Sequence, residues 1–120
     1  MASIHQRLGA ENIEKLVDTF YDYVLQDEKI NHLFTTDIDL VKKKQYMFLT
    51  QFLGGPGLYV AEYGHPKMRL RHMPHRITEE AAISWLRNMR KAIWSLDISE
   101  TLKIELFNRF PATAAHMVNT

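Results

Sequence analysis

A chain of 120 residues with 46% hydrophobic and 24% charged residues has the size and makeup of one domain, residues 1–120, built around a single core. Its formal net charge of +1 gives no global field that calls for a nucleic-acid or anionic-membrane partner. The absence of cysteine removes disulfides, thiolate nucleophiles, iron–sulfur clusters and thiolate-held metals, so any metal must be held by His, carboxylate or Met.

Met1 to Arg7 is followed within a few residues by Glu11 and Glu14, so the uninterrupted apolar stretch of a secretory signal is missing there. No run approaches the roughly eighteen apolar residues of a membrane span. A soluble, cytoplasmic protein is the expectation. From Gly9 onward, Ile13, Leu16, Val17, Phe20, Tyr21 and Val24 recur at helical spacing and predict a first long helix from Ala10 to Leu25. Gln26 to Thr36 loses this rhythm; Leu33-Phe34 is its only strongly apolar pair, which predicts a connector pinned in the core by Phe34.

Asp37 or Asp39 can cap a second long helix, in which Val41, Phe48, Leu49 and Phe52 share a face with Gln45. The stretch Gly54-Gly55-Pro56-Gly57 must end it. Leu58 to Tyr63 reads as an aromatic-bearing loop. Thr78, followed by Glu79 and Glu80, caps a third helix with Ala82, Trp85, Leu86, Met89, Ile93 and Leu96 on its stripe. Ser99 with Glu100 starts a fourth, carrying Leu102, Leu106, Phe107, Phe110, Ala114, Met117 and Val118, with Pro111 bending or restarting it. Nothing alternates long enough to be a strand, so the fold class is all-α: four main helices plus short pieces.

The chemistry centres on Gly64 to His75. Pro66 can open a short helix and Pro74 cannot continue one, which leaves room for about two turns. Met68 and His72, four apart, share a face there, while Arg69 and Arg71 lie off it. Such a segment could seat His72 as an axial ligand to a flat, anionic, apolar cofactor such as haem. Taken alone, His72 reads more simply as a partly exposed residue of a basic loop. Tyr21, Gln45 and Trp85 are polar tips on otherwise apolar faces of three helices, and all three could converge on one ligand. The simpler reading of Tyr21 and Trp85 is core packing with a bond to a backbone carbonyl. Gln45 says more, because an unpaired amide in an apolar stripe costs about 1–3 kcal/mol. His72 and His75 could form a metal pair, but Pro74 disfavours the turn that would align them. His32 and His116 read as surface residues, and Lys42-Lys43-Lys44 as a solvated helix face. No nucleophile elbow, phosphate loop, zinc-protease motif or nucleotide fingerprint occurs.

The chain resembles the group II truncated haemoglobins, short bacterial globins with a two-over-two helical sandwich. The resemblance rests on Leu16 to Tyr21, Phe48 to Pro56, Gly64-His65-Pro66 with Arg71-His72, Trp85-Leu86 and His116 to Asn119, an ordered set that runs nearly end to end. It implies haem b, iron protoporphyrin IX, with His72 as the proximal iron ligand and Met68 on the same face. It also implies a distal hydrogen-bonding cage of Tyr21, Gln45 and Trp85. Phe34 falls where such globins pack an aromatic residue on the haem, Val41 at the distal gate, and Phe48 on the haem-facing stripe. Lys44, Tyr59 and Arg71 are the candidates for the haem propionates. Three features depart from the family pattern: a leading helix that is abbreviated, His75-Arg76, and Pro111.

From these residues we expect a ferrous haem protein that binds O2 tightly for storage or sensing, and that also takes NO and CO. The competing expectation is enzymatic: nitric oxide dioxygenation or peroxidase activity with Tyr21, Gln45 and Trp85 as the catalytic side chains. That chemistry requires a separate reductase, since no flavin or nicotinamide domain is present. A monomer or weak dimer is expected in either case. A third expectation is a haem-free helical interaction module.

Overall fold

The computed structural model describes residues 2–34, 37–65 and 77–119. Among them there are helices and turns but no strand. The sequence places Met68, Arg69, Arg71, His72, His75 and Arg76, with Pro66 and Pro74, in a segment outside the described residues.

Helix α1 (Ile4–Leu8) is short and heavily fixed. Ser3 and Gln6 close a capping box at 3.1 and 2.9 Å, so two N–H groups that a helix start leaves open are satisfied. It occupies the place of the leading helix that was expected in abbreviated form. Helix α2 (Ala10–Gln26) follows, one residue longer than its stripe predicted, with all six stripe residues buried. In the connector, Asn31–Leu33 forms a 3-10 turn. Its deepest anchor is Ile30, 2% exposed, rather than Phe34, which is half-buried.

Asp37 caps helix α3 (Ile38–Phe52), its carboxylate accepting from the N–H groups of Asp39 and Leu40. The segment expected as a loop is helix α4 (Leu58–Tyr63). The Gln51 side chain stabilises its start by accepting from the Val60 N–H at 3.0 Å. Six residues between glycines are too few for a periodic stripe, and a cap arriving from nine residues upstream is invisible to local patterning.

Helix α5 (Glu79–Trp94) is capped by Thr78, whose hydroxyl accepts from the Ala81 N–H. Helix α6 (Glu100–Phe107) is capped by Ser99 in the same way. Pro111 restarts the chain as helix α7 (Pro111–Met117) and occupies its first turn, where the missing N–H costs nothing. Helix α2 packs against both α3 and α5; α3 packs on α4, and α5 on α6 and α7. The core these helices share runs through Phe20, Leu49, Met89, Ile93 and Leu106, each fully buried. A smaller cluster of Ile77, Ala81 and Met117 closes the end where α5 begins and α7 ends. Ile77 and Asn119 clasp there through two hydrogen bonds of 2.9 Å. No helix among the described residues is long and apolar enough to cross a membrane.

Candidate functional site

Between α2, α3, α5 and α7 lies a cavity of about 300 Å³. Most of its wall is apolar, from Phe34, Val41, Phe48, Phe52, Phe110 and Met117 among others. That is the character of a site for a flat, apolar ligand. Tyr21, Gln45 and Trp85 all open on it, so the structure brings together the three polar tips that the sequence carries on three separate helices.

Each arrives there for a local reason. Tyr21 lies on the α2 stripe, 3% exposed, its ring edge-on to Phe20 at 4.9 Å and to Phe34 at 5.6 Å. Trp85 comes from α5 and rests against Phe20 at 5.1 Å and Phe110 at 5.6 Å. Phe20 therefore spaces the tyrosine from the tryptophan, and edge-on aromatic contacts fix both rings. Gln45 lies one turn before Leu49 on the inner face of α3.

Their polar ends set this wall apart. Among the described residues, no hydrogen bond engages the Tyr21 hydroxyl, the Gln45 amide or the Trp85 indole N–H, and none of these is a sealed, unsatisfied atom. They face open space in the cavity. Burial pushes the Tyr21 phenol above its ordinary value, so it stays protonated and can act as a donor at any physiological pH. The backbone-bonded core packing that was the simpler reading of Tyr21 and Trp85 is not what the structure has.

Other residues divide. Phe34, Val41 and Phe48 line the cavity. Tyr59 does not; it is buried behind Phe48, ring centroids 6.1 Å apart, and beside Tyr63 at 5.1 Å. The Lys44 ammonium sits over the Tyr63 ring at 5.1 Å, away from the cavity wall. Its neighbours lie on the solvated face expected of the run, where Lys42 approaches Asp18 at 3.4 Å and Lys43 approaches Glu62 at 3.7 Å as surface ion pairs. His32 and His116 are exposed, as expected. Sequence reasoning did not assign Ile30, Ile77, Ala81, Thr113 and Met117 to the wall. Small and aliphatic residues on helical stripes look like core until two stripes are seen to stand apart.

The bacterial-like globin family matches residues 3–119. A group 2 truncated haemoglobin of Bacillus subtilis, YjbI, is 42% identical over 115 residues, covering 96% of this chain and 87% of its own. The crystal structure of the group II truncated haemoglobin from Bacillus anthracis superposes with a TM-score of 0.95 at 40% identity, covering 100% of this chain and 93% of that one. The structure of a truncated oxygen-avid haemoglobin from Bacillus subtilis gives 0.93 at 41% identity, covering 98% and 100%. With its all-helical fold and a family match from residue 3 to residue 119, the chain belongs to the bacterial-like globins, among the group 2 truncated haemoglobins.

Proposed function

We propose that this globin holds haem b in the cavity through His72 and retains O2 tightly on the side walled by Tyr21, Gln45 and Trp85. A globin implies haem, and the wall suits it: aromatic and aliphatic side chains fit the faces of a porphyrin, and the polar atoms are confined to one group of three residues. When bound, haem supplies a reversible binding point for a diatomic gas and the electron density that the gas draws toward itself. His72 would hold the group from the segment between Gly64 and Ile77, with Met68 beside it and Arg71 near the propionates.

The observation that carries the reading is the set of three open donors. Among the described residues Tyr21 and Trp85 have no protein acceptor to give up before they turn to a ligand, so their hydrogen bonds come without a competing loss there. Phe20 keeps both rings from swinging away. Apolar residues around them exclude water, which strengthens each bond. Two donors contributing about 1–2 kcal/mol each would slow gas release by about one to three decades, a property of retention rather than delivery. The similar protein from Bacillus subtilis is described as oxygen-avid, in keeping with such a wall.

The test is stopped-flow O2 release from the haem-loaded protein. Tyr21→Phe and Trp85→Phe should each release the gas roughly tenfold faster, the effect of losing about 1.4 kcal/mol. Unchanged rates in both variants would remove the cage. His72→Ala should purify largely without haem, and a near-normal Soret band in that variant would overturn the proximal assignment.

A further inference from the structure

One buried amide ties together the two helices that carry Tyr21 and Trp85. Asn88 of α5 is 2% exposed, and its Nδ2 donates to Oδ2 of Asp27 at 2.9 Å and to the carbonyl of Ser84 at 2.9 Å. Asp27 is the C-cap of α2, beyond Tyr21 on the same helix. Asn88 lies one turn after Trp85, and Ser84 immediately precedes it. The bond therefore joins the end of the tyrosine's helix to the turn of α5 that bears the tryptophan.

Asp27 does more than receive this bond. Its Oδ1 accepts from the Lys29 N–H at 3.0 Å, and its carbonyl accepts from Ile30 and Asn31 at 3.1 and 2.8 Å. These contacts shape the connector that delivers Ile30, Leu33 and Phe34 to the cavity. A carboxylate is a poor choice at this place for the helix alone, because the C-terminal end of α2 carries the negative pole of its dipole. The Asn88 amide and the Lys29 N–H nevertheless hold the Asp27 carboxyl below the usual carboxylate range, with the Lys29 and Arg87 charges adding to the effect. Nor does packing alone call for Asn88, since an aliphatic residue could fill a buried position facing α2 without needing an acceptor. Polar pairs kept in such places fix one registry of two elements.

We infer that Asp27 and Asn88 form a positioning pair that sets the separation of Tyr21 and Trp85, and so how strongly the two together retain a diatomic gas. The inference rests on the proposed role of these two donors. Its test uses the haem-loaded full chain and two readouts, O2 release and the stretching band of bound CO, which reports the field of nearby donors. Asp27→Ala and Asn88→Leu should speed release about fivefold, with a shifted or broadened CO band. Asp27→Asn keeps a side-chain oxygen for Asn88 and should stay within about twofold of the parent. Because Asp27 is only partly buried, its alanine variant keeps the test decisive if Asn88→Leu does not fold.

Gly55→Ala, whose added Cβ would crowd the His5 ring at a place away from the cavity, serves as the control for destabilisation alone. Asp27→Ala and Asn88→Leu that melt earlier, as Gly55→Ala does, yet keep the parent's release rate and CO band would overturn the positioning role. If Tyr21→Phe and Trp85→Phe alter release in the same assay while the pair variants do not, only the positioning role falls. If none of the four alters it, the donor cage falls as well.

Discussion

Two corners of the molecule treat polar groups in opposite ways. Where α1 meets α6 and the turn after α3, every polar group named here has an answer: Ser3 and Gln6 cap each other, the His5 N–H donates to the Leu53 carbonyl at 2.9 Å, and Arg7 grips Glu105 through two bonds of 2.6 and 2.7 Å. At the cavity wall, three strong donors from α2, α3 and α5 meet no protein acceptor among the described residues. The first corner is complete by itself, while the second is complete only with something inside it. Both rest on the same core though on different helices, so the difference separates polar groups that close the fold from polar groups left open to the cavity.

The contrast predicts that damage to the closed corner costs stability and leaves gas binding alone. Gly55 is an exacting point: a Cβ there would stand 2.7 Å from the His5 ring, closer than real contacts come, and His5 is held by its backbone bond to Leu53. Gly55→Ala should cost about 1–3 kcal/mol in denaturant unfolding, with an unchanged O2 release rate. A shift in release comparable to that of Tyr21→Phe would mean the two corners are coupled, and the division drawn here would fail.

The open wall should behave in the reverse sense. The Tyr21 hydroxyl opens on the cavity and meets no hydrogen-bond partner among the described residues, so removing it takes away a polar group that the folded apoprotein gains little from. Haem-free Tyr21→Phe should melt at or above the temperature of the parent, even though the loaded variant loses its grip on O2. A loss of more than about 1 kcal/mol in the apoprotein would show that the hydroxyl is already bonded inside the fold.

Much of this contrast was written locally in the chain. The stripes of α2, α3 and α5 could be read because each runs for several turns, and the caps Asp37, Thr78 and Ser99 could be read because a cap acts within three residues. Tyr21, Gln45 and Trp85 stood out as polar interruptions of those stripes, and they do share one cavity. Their lack of partners could not be read, since it depends on what three helices fail to bring near them. Lys44 shows a similar limit: its contact with the Tyr63 ring of the short helix α4 could not be read from its place beside Gln45. The Ser3–Gln6 box has the spacing of a helix start, but it lies ahead of the first stripe and caps a helix too short to carry a stripe of its own. The Asp27–Asn88 bond joins residues 61 apart, beyond any local pattern.

The smallest expected effect lies in the exposed part of the closed corner. Arg7 and Glu105 are 39% and 44% exposed, so solvent and salt screen their attraction, and the pair should add little despite its two-pronged geometry. Its hydrogen bonds from Arg7 still hold the Glu105 carboxyl below the usual carboxylate range. A carboxyl lowered in the folded state contributes stability above its unfolded value, and that contribution is lost as pH falls through the folded one. Glu105→Gln should therefore melt slightly earlier than the parent near neutral pH, and the gap should close on acidification below the carboxylate range or on raising salt. A gap that persists in acid would mean the glutamate stabilises the corner through its packing, because the charge would by then be gone. Gas release should be the same in both proteins at every pH where they are folded, since no part of this pair reaches the wall that holds Tyr21 and Trp85.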